Sequence, residues 1–256
     1  MTLVNGVPNG VYREYNIQGE VTGSKIYNQG HVVGKGIVSK QGLKQDYWRE
    51  YYVLSMLKDS GEVLKSSGDY KDNKKIGEWI FFHEDGSIEQ RGFYKDDKPT
   101  GTWKWFYEGG NLLREEEFRN GKENGIMVEY SDSGSVITKG QYLRGLKEGP
   151  WMYEMGDHKE NGEYVEGEKH GMWKYFYNNG ELYFEGEYVD GDFNGKHKYY
   201  YENGKLMEER SYIMGVKEGD WKRYDQDGNL SLVSVYEGGL EVKIDGVKIK
   251  QEAGDD

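Results

Sequence analysis

The sequence predicts an all-β fold, an elongated solenoid in which β-hairpins stack into a single antiparallel sheet. Glycine recurs with a period of about 24 residues from Gly77 onward, and a fixed period of this length is typical of a repeat array. Short aromatic runs flank Asn-Gly and Asp-Gly pairs, which favour hairpins because glycine supplies the positive φ that tight turns need. A helix is disfavoured, since each of these frequent glycines would cost roughly 1 kcal/mol inside one.

Each repeat has the same marked positions when its leading glycine is counted as position 0. Position 2 is usually Trp, position 9 is a second glycine, position 11 is aliphatic and position 17 is aromatic. The unit from Gly149 is two residues short and lacks the internal Gly-x-Leu turn. The leading glycines are Gly77, Gly101, Gly125, Gly149, Gly171, Gly195 and Gly219.

The ends of the chain follow the pattern less regularly. Gly10 opens a full unit, residues 34–46 suit half a unit, and the unit from Asp46 carries extra residues near Val53 to Lys58. Residues 243–250 alternate around Asp-Gly, which predicts a capping hairpin, and 251–256 are expected to be a loose tail. The predicted organisation is irregular units over 1–76, a regular array over 77–242, and a cap with a tail over 243–256.

Composition limits the classes of partner. The chain has a net charge of -12, with +3 on residues 1–76 and -15 on the rest, which argues against nucleic acid or an anionic membrane as the main partner. The absence of cysteine excludes disulfides, thiolate chemistry and cysteine-bound zinc. No apolar run is long enough for a membrane helix, so no integral membrane association is expected. No signal peptide is visible, which favours the cytoplasm as numbered and leaves a secreted or surface location open if the chain is trimmed.

The repeat pattern also carries a family resemblance. The pattern Gly-x-Trp-x-x-(Phe/Tyr)-x-x-x-Gly-x-(Leu/Ile), followed by Tyr-x-x-Gly-x-x-x-Gly, resembles the MORN repeat. It is most similar to the bacterial variant in proteins catalogued as toxin–antitoxin antitoxins. The unit from Gly171 to Gly191 matches closely, whereas Met127 and His197 stand in place of Trp.

The resemblance implies a stack of antiparallel hairpins that serves as a scaffold, a dimerisation module or, in some eukaryotic cases, a lipid-associated module. The antitoxin label implies a protein that binds and inhibits another. Choline-binding repeats are look-alikes with Trp and Tyr in short hairpins, but their period is nearer 20 residues, so the spacing here fits MORN better.

No catalytic or metal-binding constellation is visible in the sequence. The histidines lie in different units without ligand spacing; His170 is expected in a turn and His197 in packing. Asp225-x-Asp227-Gly228 resembles the start of a calcium loop, but Tyr236 occupies the place of the closing glutamate. We therefore expect a non-enzymatic protein with no cofactor and no metal site.

One aromatic cluster exceeds what a sheet requires. Positions 4 and 6 are both aromatic in three units, and the four tyrosines of the last two units are expected to form one ladder. Stabilisation of the sheet is one interpretation, and a flat strip that docks a partner is the other. The irregular stretch from Tyr51 to Leu57 is a second candidate. The candidate binding residues are Trp105, Tyr107, Tyr175, Tyr177, Tyr199 and Tyr201.

The sequence therefore predicts a repeat scaffold for protein–protein interaction, in its specific form an antitoxin-type inhibitor of a basic toxin or effector. The alternative is a surface module that binds a glycan, choline or a lipid headgroup on the aromatic ladder.

Overall fold

The computed structural model describes residues 2–53, 62–154 and 156–249. Within these ranges every regular element is a β-strand, which confirms the predicted all-β class. The chain divides into two compact units, residues 1–135 and 136–256. In each unit, strands that follow one another along the chain pair antiparallel, as stacked hairpins require.

Eleven strands make up the described part of the first unit. Their bounds are β1 Thr2–Val4, β2 Val7–Tyr15, β3 Val21–Asn28, β4 His31–Val38, β5 Lys44–Tyr51, β6 Leu64–Lys71, β7 Lys74–Phe82, β8 Ile88–Lys95, β9 Lys98–Phe106, β10 Leu112–Arg119 and β11 Lys122–Tyr130.

Twelve strands make up the described part of the second unit, where β18 pairs with both β19 and β20. Their bounds are β12 Val136–Leu143, β13 Leu146–Glu154, β14 His158–Val165, β15 Glu168–Tyr177, β16 Leu182–Val189, β17 Asp192–Tyr200, β18 Leu206–Ile213, β19 Val216–Lys217, β20 Gly219–Tyr224, β21 Leu230–Glu237, β22 Leu240–Ile244 and β23 Val247–Lys248.

Two kinds of turn alternate along the array. The linking turns between repeats have two residues with positive φ, as at Asn120 (54°) and Gly121 (84°). This backbone matches the twist of the flanking strands, which explains the Asn-Gly and Asp-Gly pairs. The longer turns within a repeat place their glycine at position 9 with positive φ, 85° at Gly110 for example. The hairpins predicted from the sequence are thus present.

The half-repeat near the N-terminus moves the linking turns from one edge of the sheet to the other. The longer turn after β4 lies beside the linking turn after β6, since the amide of Asn73 donates to the carbonyl of Lys44 at 3.1 Å. Before β4, linking turns neighbour one another instead, and Gly30 donates to Pro8 at 2.8 Å. A single added strand therefore exchanges the two edges. The extra residues predicted near 53–58 lie mostly outside the described residues, as does the predicted tail 251–256.

Buried tryptophans form the core of each unit. Trp48, Trp79, Trp103, Trp151 and Trp173 are at most 3% exposed. From Trp79 onward, each of these indole N–H groups donates to a carbonyl ten residues earlier, at 3.0 to 3.2 Å. These bonds satisfy the one polar atom that a buried indole carries.

Each of these rings lies over a glycine of the preceding strand. A Cβ on Gly68 would lie 2.5 Å from Cδ2 of Trp79, and a Cβ on Gly162 would lie 2.5 Å from Cγ of Trp173. Any larger residue would therefore displace the ring. The other pairs are Gly36 with Trp48, Gly92 with Trp103 and Gly140 with Trp151.

Two units that depart from the repeat pattern bear on this pairing of tryptophan with glycine. Met127 replaces Trp where Glu116 replaces the glycine, and the two residues are direct cross-strand partners. His197 keeps its glycine, Gly186, and is fully buried. Its Nε2 lies 2.8 Å from the carbonyl of Glu187, so with Nε2 protonated the ring donates the bond that an indole would make. The expectation that His197 is a packing residue agrees with this position.

Candidate functional site

The tryptophan face is occupied by the chain's own cations. Several units carry a lysine two residues before the leading glycine, and its ammonium lies over the aromatic rings of the unit. Nζ of Lys75 is 4.3 Å from the ring centroid of Trp79, and Nζ of Lys169 is 3.8 Å from that of Trp173. Cation–π attraction of this kind contributes about 0.5–2 kcal/mol. The same arrangement recurs at Lys44, Lys147 and Lys217.

The predicted residues at position 4 lie within this face. The hydroxyl of Tyr175 accepts a hydrogen bond from Nζ of Lys169 at 2.8 Å, and burial raises its pKa. Burial also raises the pKa of Tyr199, to about 12. Trp105 packs against Trp103 with ring centroids 6.0 Å apart. These side chains are half-buried and engaged within the sheet.

The predicted residues at position 6 join one repeat to the next. The hydroxyls of Tyr107, Tyr177 and Tyr201 donate to backbone carbonyls 23 residues later, at 2.8 to 2.9 Å. The acceptors are the carbonyls of Tyr130, Tyr200 and Tyr224. Each tyrosine therefore fastens the end of its own hairpin to the end of the following one.

The four tyrosines of the last two predicted units are not in one continuous contact. Phe184 lies between Tyr175 and Tyr199, with ring centroids 4.8 and 4.9 Å away. Tyr183 lies between Tyr177 and Tyr199, at 5.1 and 6.1 Å. The cause is a bulge at the turn end of β15 and β16, where the pairing register shifts and brings both intervening rings into the row.

A strip along the linking turns of the second unit is more exposed. The turn glycines are stacked in register, because the amides of Gly167, Gly191, Gly215 and Gly239 donate to carbonyls two residues after the glycine of the preceding turn, at 2.8 to 3.0 Å. We call the residues around these turns the linking-turn strip.

The linking-turn strip is apolar at both ends and acidic in the middle. Leu146 and Val165 are 50% and 42% exposed at one end, and Ile213 and Leu240 are 61% and 59% exposed at the other. Met214 and Val216 add to the second end. Exposed carboxylates lie between the two ends, on Glu166, Glu168, Asp190 and Asp192. The linking turns after β6, β8 and β10 in the first unit carry only polar and charged side chains, from Asp72, Asn73, Asp96, Asp97 and Asn120, whereas the turn after β1 is flanked by the exposed Val4 and Val7.

The short unit from Gly149 leaves an open depression next to its turn, which we call the aromatic slot. It has a volume of about 360 Å³ and is lined by Asp157, His158, Tyr175, Phe176, Tyr177 and Tyr183. Nδ1 of His158 lies 2.6 Å from the carboxylate of Asp157, and its ring lies 6.2 Å from that of Tyr175. The pKa of Asp157 is lowered by the hydrogen bond from His158.

In residues 2–53, 62–154 and 156–249, no three His, Cys, Asp or Glu side chains are grouped so that they could hold a metal ion. The same residues include no helix of the length and apolarity that crossing a membrane takes.

The fold and its contacts define a protein built from β-hairpin repeats. Five of its segments match the family model described as MORN repeat variant, at residues 75–96, 99–120, 169–190, 193–214 and 217–237. These repeats belong to the MORN-variant family, as the resemblance predicted. Repeats of this family are in general modules that bind proteins or membranes.

Other comparisons are distant. No curated protein matches the sequence. Two solved structures, titled "Crystal Structure of TcdB2-TccC3-Cdc42" and "Crystal Structure of TcdB2-TccC3-TEV", are 11% and 12% identical, with TM-scores of 0.19 and 0.15. The alignments cover 85% and 89% of this chain but 14% and 17% of those chains. The chain thus spans less than a fifth of their length.

Sequence reasoning missed three features of this surface. From Gly68 onward, the glycine under each tryptophan stands eleven residues before it, and this constant spacing can be seen in the sequence. The caged lysine also stands at a fixed place before the leading glycine. The aromatic slot had a weaker signal, the two residues missing from the unit at Gly149.

Proposed function

We propose that this chain is a non-enzymatic scaffold that binds a basic protein through the linking-turn strip. The observation that carries the proposal is the composition of the strip, in which exposed apolar side chains flank a row of carboxylates. Exposed apolar patches rimmed by polar residues mark interaction sites. Carboxylates add steering toward a positively charged partner.

The engagement of the predicted aromatic residues supports placing recognition at the turns. The hydroxyls of the position 6 tyrosines donate hydrogen bonds to the next repeat, and the position 4 rings pack within the tryptophan face. Apart from Tyr175 and Tyr177, which line the aromatic slot, rings held in this way stabilise the sheet and offer a partner little free surface. The linking turns instead project side chains that are more than half exposed, such as Ile213 and Leu240.

Inhibition of a basic toxin or effector is the specific form of the proposal. The charge of -15 on residues 77–256 favours a positively charged partner over an acidic one. A scaffold that covers the working surface of such a protein would inhibit it without any chemistry of its own.

The test is capture from the source cell on immobilised chain, followed by measured affinity for the purified partner. We expect a basic protein whose binding weakens as salt rises from about 50 to 300 mM, because the middle of the strip is acidic. The variant Ile213→Ser with Leu240→Ser should weaken binding at least about tenfold, since buried apolar anchors dominate interface energies.

The matched control is Ile126→Ser, which removes an equally apolar side chain, 51% exposed, in the first unit. We expect it to leave the affinity unchanged. The proposal is wrong if no protein is captured at any salt, or if the control and the strip variant weaken binding equally.

A further inference from the structure

We infer that the aromatic slot binds an alkylammonium cation, either free or carried on a lysine side chain of another protein. The slot goes beyond the proposed scaffold function, because it is formed by different residues and does not include the linking-turn strip. Three features support a cation as its ligand: the free rings, the carboxylate at its mouth, and the way the same chain uses rings elsewhere.

The rings of the slot lack an internal cation. Tyr177 and Tyr183 meet nearly edge to face, with centroids 5.1 Å apart, and Phe176 lines the same depression. Among the described residues, no lysine or arginine lies over any of these three rings. Lys169 covers the neighbouring Tyr175, at 5.1 Å from its centroid, and makes its closest ring contact with Trp173.

Elsewhere in the array, rings of this kind hold the ammonium groups of lysine side chains. Where the repeat is regular, a lysine ammonium lies 3.8 to 5.6 Å from two or three ring centroids at once, as at Lys75, Lys147 and Lys169. The slot presents rings of the same kind at the surface. Several aromatic faces around one position form the usual cage for methylated ammonium groups.

The carboxylate of Asp157 gives the slot its sign. Its side chain is 88% exposed and stands at the mouth of the slot, paired with His158. The hydrogen bond from His158 lowers the pKa of Asp157, an acid that is already ionised at neutral pH. An anionic ligand would meet this charge, whereas an ammonium is attracted by both the carboxylate and the rings.

The short hairpin explains why the slot is open. In regular units the longer turn is complete, with an aliphatic residue at position 11 such as Leu182 or Leu206. The unit from Gly149 lacks that residue, and the next turn instead reaches back, with the side-chain amide of Asn178 donating to the backbone carbonyl of Gly156 at 3.1 Å. The depression therefore lies where the missing part of a turn would stand.

The test compares choline with 3,3-dimethylbutan-1-ol, its neutral isostere, by NMR titration of the ring protons of Tyr177 and Tyr183. We expect choline to bind about tenfold more tightly, because only the cation gains from the rings and the carboxylate. Asp157→Asn should reduce that preference severalfold. A lysine tripeptide, compared with its side-chain-acetylated form, tests the protein-borne source of the same cation.

The matched variants are Tyr177→Leu and Tyr107→Leu. Both remove a tyrosine that donates to a carbonyl of the next hairpin, so both lose the same kind of hydrogen bond, but only the first lies in the slot. We expect Tyr177→Leu to abolish the choline shifts and Tyr107→Leu to keep them. Circular dichroism checks that each variant folds. If Tyr177→Leu does not fold, Tyr183→Leu takes its place as the slot variant.

The inference is overturned if choline binds no more tightly than the neutral alcohol and the tripeptide binds no more tightly than its acetylated form, or if choline binding survives both slot variants. Choline binding without tripeptide binding assigns the site to a free ligand, and the reverse assigns it to a protein. None of these outcomes depends on the linking-turn strip, so the scaffold proposal and this one can fail separately.

Discussion

The substitution Gly162→Ala tests how the repeats pack. The new Cβ would lie 2.5 Å from Cγ of Trp173, whereas carbon atoms in contact stand about 3.5–4.0 Å apart, so the ring must move by about 1 Å. Trp173 is fully buried, and forcing extra volume into a packed core costs about 1–3 kcal/mol. The ring also loses its bond to the carbonyl of Glu163, now 3.0 Å, which is worth about 1 kcal/mol.

We therefore expect Gly162→Ala to lower the free energy of unfolding by about 2–4 kcal/mol. Urea denaturation followed by tryptophan fluorescence measures the loss, and hydrogen exchange locates it at β14 and β15. The control is Gly156→Ala, where a Cβ meets no atom within 4 Å and the stability should change by less than about 1 kcal/mol.

A second substitution checks the cause. Trp173→Met should recover part of the loss in the Gly162→Ala background, because the chain itself places Met127 opposite Glu116. A Gly162→Ala protein as stable as Gly156→Ala would contradict this packing. So would a Trp173→Met substitution that lowers stability as much in the Gly162→Ala background as it does alone.

Three further predictions concern single contacts. Tyr201→Phe removes the hydroxyl that bonds the carbonyl of Tyr224 and should cost about 0.5–1.5 kcal/mol by urea denaturation; an unchanged midpoint contradicts the bond. Burial lowers the pKa of His197, so the free energy of unfolding should fall as the pH drops below about 6.5, and His197→Trp should lack this slope in the same pH titration. Burial raises the pKa of Glu116 despite the nearby Arg114, so the contribution of its protonated form to the free energy of unfolding should be lost as the pH rises from about 4.5. A difference in stability between the protein and Glu116→Gln that does not change with pH would contradict this.

The sequence was sufficient for the parts of the fold that repeat. Asn-Gly and Asp-Gly pairs fixed the turns, and the leading glycines marked bulges where positive φ is needed, for instance 66° at Gly77. Each of these features depends on residues within one hairpin, so local patterns could reveal them.

The contacts between hairpins were harder to predict. Tyr177 is a candidate binding residue because positions 4 and 6 of its unit are both aromatic, yet its hydroxyl reaches a carbonyl 23 residues away. Whether such a ring stabilises the sheet or contacts a partner depends on how far the next turn extends over it. The unit at Gly149 shows this most clearly, because the slot arises from residues that the sequence omits.

Oxidative footprinting read by mass spectrometry tests the central claim most directly, namely that the tryptophan face is closed by the repeats and that the remaining surface is free for partners. Met172 and Met214 are 51% and 48% exposed, whereas Trp79 and Trp173 are fully buried. The account predicts rapid modification of the two methionines and strong protection of the two tryptophans. Tryptophans modified as fast as the methionines would contradict it.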